Sequence, residues 1–347
     1  MAIEVSIIVP CRNEVSAIAS TLESIRSQDP IDGDFEVIVA DGMSDDGTRE
    51  ILSQLAASDP RITMVDNPEG IVSTGLNRAI RMAQGKIIIR MDAHTNYASD
   101  YVYQCVRTLR ESAADNVGGP WIARGTGQLG KAIAAAFQSS FAGGGGRARD
   151  QDYSGPVDTV YLGCWRREIF DRIGFFDEEL VRNQDDEFNL RLARSGGKIW
   201  QSVNIKSWYH PRESLRHLFA QYAQYGYWKA CVLRKHRLPA SIRHVVPAIF
   251  VLALLALLVS SMFSVVAFRA LLVLLGSYGA LILYASAATA ASDGWKLFFF
   301  LPAVFTTFHV AYGWGFIRGF VDFIVLKRKA SKSYGVLTRD SLGRVIR

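Results

Sequence analysis

Three short acidic clusters contain the residue types that could do chemistry in this chain. They lie at residues 41–48, 92–94 and 185–187. Side chains of this kind at close spacing can accept hydrogen bonds, hold a divalent cation, or take a proton as a general base. Each cluster by itself also fits a capping role at the end of a helix or strand, so its meaning depends on the elements that position it.

The first two clusters suit binding. Asp41 is predicted to bind a base or ribose, because the glycines beside it let a ring approach the backbone, whereas Asp45 with Thr48 is predicted to cap a helix. Asp92 and His94, at a spacing of two, project to one side of a strand end and suit Mg²⁺ or Mn²⁺ on a diphosphate. A polar turn that caps the strand is the alternative.

The third cluster suits proton transfer. One carboxylate at the start of a helix that faces a cleft can serve as a general base, and Asp185 is the candidate. The neighbouring acids would then cap the helix and interact favourably with its dipole. The alternative assigns all three acids to capping.

The elements that must position these clusters alternate along the first hundred residues. Apolar runs predict strands at residues 5–9, 35–40, 62–65 and 87–91, and helical spacing predicts helices at residues 15–25, 48–57 and 72–82. Further strands are predicted at residues 157–162 and 199–203, with a helix at 185–194. This order predicts an α/β fold with a doubly wound, mostly parallel sheet, in which ligands bind outside the carboxyl ends of the strands. Asp41 and Asp92 both stand at such ends.

Two common phosphate-binding patterns do not occur in the sequence. The first strand leads into Pro10-Cys11-Arg12-Asn13-Glu14 and not into Gly-x-Gly-x-x-Gly, and no Gly-Lys-Ser/Thr occurs anywhere. A dehydrogenase-type dinucleotide fold and a P-loop nucleotide site are therefore disfavoured.

Charge is distributed unevenly along the chain. Residues 1–211 contain 22 Lys and Arg against 29 Asp and Glu, whereas residues 212–244 contain 7 against 1, and residues 327–347 again 7 against 1. Nucleic-acid binding would place the positive charge on the globular part, which is acidic, so no nucleic-acid partner is expected. The two basic blocks favour anionic lipid headgroups at a membrane face.

The region between the basic blocks is apolar. Uncharged runs occupy residues 245–268, 270–292 and 297–317, and each is long enough to cross about 30 Å of hydrocarbon, which predicts about three membrane segments. Both basic blocks favour the cytoplasmic side, although three spans would place them on opposite sides of the membrane. Either the tail breaks the positive-inside rule, or one segment is re-entrant or lies in the interface. The preceding stretch, residues 215–233, is amphipathic and aromatic, which predicts a helix along the membrane surface.

The start of the chain and its cysteines indicate a cytosolic catalytic region. Residues 1–10 open into an apolar strand that contains Glu4, without the basic start and cleavage site of a secretory signal. The four cysteines are far apart, with no CxxC spacing, as in a reducing compartment. The expected order is a catalytic domain at 1–211, an interface region at 212–244, a membrane region at 245–326 and a basic tail at 327–347.

Six motifs in order along residues 4–211 carry a family resemblance. They are residues 5–14, 41–48, 70–79, the motif at Asp92, residues 174–178 and residues 185–192. In type and spacing they resemble the inverting nucleotide-sugar transferases of glycosyltransferase family 2, which have the GT-A fold. Residues 160–165 and the apolar C-terminal region are similar to bacterial exopolysaccharide enzymes of the succinoglycan glucosyltransferase type.

The resemblance implies a nucleotide pocket, a metal site and a base. The nucleotide pocket would contain Pro10, Arg12, Glu14, Asp41 and Asp92. The cofactor, Mg²⁺ or Mn²⁺, would be held by Asp92, with His94 in place of the family's second Asp and His210 as a further ligand. A histidine at the membrane interface is the alternative for His210. Asp185 would be the general base.

These features together predict an inverting, metal-dependent glycosyltransferase of the inner (cytoplasmic) membrane, with its catalytic domain facing the cytoplasm. It would move a sugar from a nucleoside-diphosphate sugar, a UDP-sugar first of all, to a lipid-linked or membrane lipid acceptor in polysaccharide or glycolipid biosynthesis. One alternative is a polyprenyl-phosphate sugar synthase, whose phosphate acceptor would use the basic residues Arg147, Arg149, Arg166 and Arg167. Another is a non-catalytic membrane subunit of an assembly complex.

Overall fold

The computed structural model describes residues 3–143, 146–237 and 242–335, which form two compact units. The first unit contains the described residues up to Ile122 and the segment Gly146–His210. The second contains the described residues between Ala123 and Gly145 and those of Pro211–Gly335. The predicted division, with a catalytic domain at 1–211 and further regions at 212–244 and 245–326, stays a prediction. The described residues from Ala123 to Gly143 belong to the second unit. Residues 336–347 of the predicted basic tail lie outside the described residues.

The secondary structure alternates as the sequence pattern predicts over residues 3–90. The strands are β1 (Ile3–Cys11), β2 (Asp34–Asp41), β3 (Ile62–Asp66), β4 (Ile87–Arg90), β5 (Thr95–Tyr97), β6 (Asn116–Gly119), β7 (Ile122–Ala123), β8 (Gly155–Pro156), β9 (Tyr161–Arg166), β10 (Ile199–Gln201) and β11 (Ser207–Tyr209). The helices are α1 (Ile18–Arg26), α2 (Thr48–Ser58), α3 (Val72–Met82), α4 (Tyr101–Ser112), α5 (Gly127–Gln138), α6 (Ser140–Gly143), α7 (Glu168–Ile173), α8 (Gln184–Arg194), α9 (Leu215–His236), α10 (Val246–Ser260), α11 (Val265–Asp293), α12 (Leu301–Phe320) and α13 (Lys332–Gly335).

An eight-stranded sheet organises the first unit, in the order β3-β2-β1-β4-β9-β6-β10-β8. β1 pairs in parallel with β2 and β4, and β2 pairs in parallel with β3. β9 runs antiparallel between β4 and β6, and β8 is an antiparallel edge strand. β5 pairs antiparallel with β11 in a second, small sheet. The predicted α/β fold with a mostly parallel sheet is confirmed.

Hydrophobic cores cover both faces of the large sheet. Alternate residues of β1 point to opposite faces, so Ile7 belongs to one core and Ile8 to the other. Buried residues of α1, α2 and α4 complete the first core, and those of α3, α7 and α8 complete the second. In the second core, Trp165 packs edge to face against Phe176 and Phe188. Helices on both faces make the sheet doubly wound.

The middle of the first unit differs from the sequence-based prediction. The strand predicted at residues 157–162 is found at Tyr161–Arg166, because pairing with β4 places Cys164 opposite Ile89. β6 was not predicted, since two of its four residues are glycines. A Cβ at Gly119 would collide with the backbone carbonyl of Ile205, so close packing selects glycine where local propensity disfavours a strand.

The second unit is helical, and its helices α9 and α12 pack closely. A Cβ at Gly315 would collide with the backbone carbonyl of Ala223, and a Cβ at Gly319 with that of Tyr227. Small residues at a helix interface allow this approach. Most of α9 after Gln221 is buried in this unit, whereas Arg216 and Phe219 nearer its start are exposed. Its alignment along a membrane surface stays a prediction.

The three apolar runs form helices with bounds of their own. Among the described residues, one helix is long and apolar enough to cross a membrane, namely α11 with 29 residues. The first predicted run is split, because the chain turns after α10 and the Ser264 hydroxyl accepts the Ala267 N–H at the start of α11. α10 has 15 residues, or about 22 Å, and α12 has 20. The number of membrane segments stays a prediction.

Candidate active site

The carboxyl ends of the parallel strands bring two of the predicted site residues to one edge of the sheet. β2 ends at Asp41, and the register pairs Asp41 with Cys11 of β1 and Asp66 of β3. β4 ends at Arg90, two residues before Asp92, and runs parallel to β1. This is the edge where doubly wound sheets bind ligands.

The buried guanidinium of Arg90 joins Asp92 to Asp185. Its Nε and Nη2 atoms donate to the two carboxylate oxygens of Asp92 at 2.7 and 2.9 Å. Its Nη1 atom donates to Oδ1 of Asp185, in the first turn of α8, at 2.6 Å. Burial by itself would lower the pKa of Arg90, but the carboxylates of Asp185 and Asp92 raise it, so the guanidinium stays charged.

Asp185 keeps one carboxylate oxygen available. Its Oδ2 atom has no hydrogen-bond partner in the part of the chain that the structure describes, and 37% of the side chain is exposed. Desolvation by the surrounding protein raises the pKa of Asp185 to about 6; Arg90 lowers it, and Asp92 and Asp186 raise it. Such a carboxylate is ionised at neutral pH and more basic than an ordinary Asp, as a general base requires.

Glu187, in the same helical turn, has a different environment. It is buried, and Nε and Nη2 of Arg191 donate to its two carboxylate oxygens at 2.7 and 2.9 Å. Arg191 also donates to the backbone carbonyls of Ile173 and Phe175. Arg191 therefore links α8 to the end of α7 and to Phe175, and both Glu187 oxygens are engaged in holding Arg191.

Asp41 is enclosed by its own loop. Its side chain is fully buried, and its Oδ1 atom accepts a hydrogen bond from the hydroxyl of Ser44 at 2.5 Å. Its Oδ2 atom accepts from the Ser44 N–H at 3.1 Å and from Nη1 of Arg49 at 2.6 Å. Arg49 also pairs with the exposed Asp66 at 2.8 Å. The carboxylate holds the loop in shape, and base binding by Asp41 stays a prediction.

Hydrogen bonds join the loops after β1 and β2. The Asn13 N–H donates to the Ser44 hydroxyl at 2.8 Å, and the Glu14 N–H donates to the Thr48 hydroxyl at 2.9 Å. The structure thus brings together two segments predicted to form the nucleotide pocket, residues 10–14 and 41–48.

The prediction that Asp45 caps α2 is wrong. Asp45 forms a reciprocal pair of hydrogen bonds with Asn13 in the neighbouring loop. Asp46 accepts instead from the N–H of Thr48 at 3.1 Å and from the Val15 N–H at 3.2 Å. The side chain of Asn13 draws Asp45 away from the helix, an interaction that local capping preferences do not include.

The side chain of Arg12 lies between Gly42, in the loop after β2, and Gly70, between β3 and α3. A Cβ at Gly42 would lie 3.0 Å from the Arg12 side chain, and one at Gly70 would collide with its Nη1 atom. Nη1 donates to the Gly70 carbonyl at 3.3 Å, while the buried Nε has no partner among the described residues. Pro10 precedes this loop within β1 and is half-buried. The nucleotide contacts of both residues stay predictions.

The three predicted metal ligands do not come together as one cluster. Within residues 3–143, 146–237 and 242–335, no three His, Cys, Asp or Glu side chains are grouped as a metal site. Nε2 of His210 lies 3.2 Å from the side-chain nitrogen of Asn96 on β5. Nδ1 of His94 lies 3.3 Å from Oε1 of Glu14, a residue predicted to contact the nucleotide.

Asp92 and His94 nevertheless fit a cation that is bound mainly by its substrate. Each Asp92 oxygen accepts one N–H from Arg90 and retains lone-pair capacity. Metal-bound histidines usually place their second ring nitrogen on a carboxylate, as His94 does with Glu14. Mg²⁺ commonly takes one or two protein carboxylates and fills its other positions with phosphate oxygens and water.

Arg90 and Arg49 are the site residues that the sequence-based prediction missed. Arg90 ends the run Ile87-Ile88-Ile89-Arg90, two residues before Asp92. A charged residue at the end of a buried strand needs a charged partner, so its position beside an Asp could have indicated an ion pair. Arg49 is the second residue of α2, in an ordinary helical sequence, so its contact with Asp41 becomes visible only in the fold.

Comparison with known proteins gives one family. Residues 6–174 match the family model described as Glycosyl transferase family 2. The succinoglycan biosynthesis protein ExoA of Rhizobium meliloti (strain 1021) is 36% identical over 244 residues, which cover 70% of this chain and 73% of that protein. The dolichyl N-acetyl-alpha-D-glucosaminyl phosphate 3-beta-D-2,3-diacetamido-2,3-dideoxy-beta-D-glucuronosyltransferase of Methanococcus voltae is 26% identical, over 91% of this chain and 97% of that protein.

A solved structure shares the fold. The mannosyltransferase PcManGT from Pyrobaculum calidifontis, in complex with GDP-Man and Mn²⁺, matches with a TM-score of 0.59 and 20% identity, over 88% of this chain and 86% of that chain. The GT-A architecture expected from the motifs is thereby confirmed. With this fold, the matched family model and the identity to ExoA over most of both chains, the protein belongs to glycosyltransferase family 2.

Proposed function

We propose that the protein is an inverting, metal-dependent glycosyltransferase that moves a sugar from a nucleoside-diphosphate sugar to a lipid-linked acceptor. A UDP-sugar is the first candidate for the donor. The reaction would take place at the cytoplasmic face of the inner membrane, in polysaccharide or glycolipid synthesis. The observation that carries the proposal is Asp185, whose Oδ1 is held by Arg90 at 2.6 Å while its Oδ2 is available.

The chemistry follows from that carboxylate. An acceptor hydroxyl hydrogen-bonded to Oδ2 of Asp185 loses its proton to this oxygen as the hydroxyl oxygen attacks the anomeric carbon. The bond between the anomeric carbon and the phosphate oxygen breaks, and the nucleoside diphosphate leaves with that electron pair. One in-line displacement inverts the anomeric configuration.

The metal site belongs to the same proposal. Asp92 and His94 would hold Mg²⁺ or Mn²⁺, which when bound offsets the negative charge on the departing diphosphate. Arg90 fixes the orientation of the Asp92 carboxylate through both of its oxygens. Glu14, at 3.3 Å, holds the ring of His94. His210 is proposed as a further ligand, although it forms no group of three candidate ligands among the described residues.

The names of the relatives support the substrate classes. The name of the Methanococcus voltae protein includes a dolichyl-linked sugar phosphate. The name of the Rhizobium meliloti protein refers to the biosynthesis of succinoglycan. The mannosyltransferase structure holds GDP-Man, a nucleoside-diphosphate sugar, together with Mn²⁺. The apolar helix α11 supports a membrane location, where a lipid-linked acceptor would remain in the bilayer.

The geometry does not favour a polyprenyl-phosphate sugar synthase. Arg166 lies opposite Ile87 at the start of β4, which is the sheet edge away from Asp92. The backbone N–H of Arg167 donates to the Lys86 carbonyl at the same edge. Two of the four basic residues named for this alternative therefore lie at the start of β4, whereas Asp92 follows its end.

The test is a donor screen with the purified full-length protein in lipid nanodiscs. UDP-, GDP- and dTDP-sugars are combined with membrane lipid extract from the host, with Mg²⁺, Mn²⁺ or a chelator. We expect one donor to give a glycolipid with inverted anomeric configuration by NMR, and only with metal. Retained configuration would contradict the proposal, and a complete lack of turnover with every donor would favour a non-catalytic subunit.

A further inference from the structure

Arg90 is a buried charged residue at the centre of the sheet. It ends β4, where its backbone pairs with Ile8 in the centre of the sheet. Only 6% of its side chain is exposed. A buried guanidinium needs charged partners. Among the described residues, the side-chain partners of Arg90 are the carboxylates of Asp92 and Asp185.

The shape of the guanidinium determines what Arg90 can do with these partners. One edge, formed by Nε and Nη2, binds both oxygens of Asp92, and Nη1 binds a single oxygen of Asp185. Since the group is planar, it sets the orientation of the two carboxylates relative to each other. Asp92 and Asp185 come from distant parts of the chain, and the side chain of Arg90 donates hydrogen bonds to both.

We propose that Arg90 is a positioning residue for the transfer reaction, which locks Oδ1 of Asp185 beside Asp92 and thereby leaves Oδ2 as the proton-accepting oxygen. The inference rests on the proposed function, because it assigns to Arg90 an effect exerted through the base. It also assigns Arg90 no contact with donor or acceptor. A positioning role predicts loss of turnover with little loss of donor binding.

Lysine separates the charge of Arg90 from its shape. Arg90→Lys keeps a positive charge near both carboxylates but cannot form the fork of Nε and Nη2 with Asp92 while it also holds Asp185. The matched control is Arg61→Lys. Arg61 also forms a fork with an Asp two residues away, Asp59, at 3.0 and 2.7 Å, but it precedes β3 at the opposite edge of the sheet.

The experiment measures kcat, KM for the donor, and donor binding by calorimetry in full-length protein in nanodiscs. We expect Arg90→Lys to lower kcat about 10- to 100-fold, with KM and Kd for the donor within about threefold of wild type. Arg61→Lys should leave all three unchanged. A second variant, Arg90→Gln, should follow Arg90→Lys with a larger loss of kcat.

A double-variant cycle separates positioning from a general effect on the fold. Since Arg90 acts through Asp185, Arg90→Lys should cause no further loss of kcat once Asp185→Asn is present. Additive losses, or wild-type kcat in Arg90→Lys, would overturn the inference. Loss of donor binding together with turnover in both Arg90 variants would also overturn it, by showing that Arg90 acts through the metal site at Asp92 or through the fold and not through Asp185. If Asp185→Asn itself keeps full turnover, the proposed base has failed, which is a separate result.

Discussion

Two loops at the same edge of the sheet each place an aspartate beside an arginine, with different consequences. After β2, Asp41 is fully buried and accepts three hydrogen bonds, two from Ser44 and one from Arg49. After β4, Arg90 binds Asp92 and also one oxygen of Asp185, and the other oxygen of Asp185 stays available.

Asp41 supports a loop, whereas Asp185 can do chemistry. A carboxylate whose oxygens are all engaged and buried cannot take a proton without losing those contacts. A carboxylate that is held through one oxygen is oriented, and its second oxygen can still accept a proton. Asp41 and Asp185 are the same residue type and each is paired with an arginine, so the number of engaged oxygens makes the difference between them.

The largest expected effect lies at Asp185, the partner of Arg90 in the first turn of α8. Asp185→Asn keeps the shape of the side chain but cannot accept the acceptor proton, so kcat should fall by about 10²–10⁴, with donor affinity almost unchanged. Steady-state kinetics and calorimetry of the full-length protein measure both quantities. Near wild-type turnover would remove Asp185 from the reaction and end the contrast with Asp41.

The next effect lies in the first loop and concerns stability. Asp41→Asn leaves Arg49 without its buried partner, and the free energy of unfolding should fall by about 3 kcal/mol, with kcat unchanged well below the melting temperature. Asp66→Asn is the control, because Asp66 is 59% exposed and its pair with Arg49 should contribute under about 1 kcal/mol. Thermal melts measure both. Unchanged stability with weakened donor binding would instead support the predicted base contact of Asp41.

A smaller effect distinguishes the two carboxylates that Arg90 holds. Asp92→Ala should weaken metal-dependent binding of a nucleoside diphosphate about 10- to 100-fold, because the diphosphate loses its bridging cation. Calorimetry with and without Mn²⁺ measures this without turnover. His94→Ala should have a smaller effect, and His210→Ala the smallest. Unchanged metal-dependent binding in Asp92→Ala would remove the site.

The smallest effect is graded with pH. The pKa of Asp185 is raised to about 6, and a base must be ionised, so kcat should be level above this pH and fall up to tenfold per unit below it. Donor binding between pH 5 and 8 serves as the control and should change less. A kcat that stays constant down to pH 5 would argue that another group takes the proton.

The site could be predicted in part. Asp41, Asp92 and Asp185 stand where the sequence pattern places them, at two strand ends and a helix start, because local apolar runs define these ends. Their partners could not be predicted. The hydrogen bond between Arg90 and Asp185 links residues 95 positions apart, and no local pattern contains such a contact.

The sequence by itself determined the order of elements from β1 to α3, including the bounds of α3 at Val72–Met82, since the spacing of apolar residues within each segment decides which face it buries. The tertiary structure alone decided the antiparallel insertion of β9, the glycine strand β6 and the close packing of α9 on α12. It also decided how many oxygens of each aspartate are engaged. Each of these depends on contacts between distant segments, and their free energies appear only once those segments pack together.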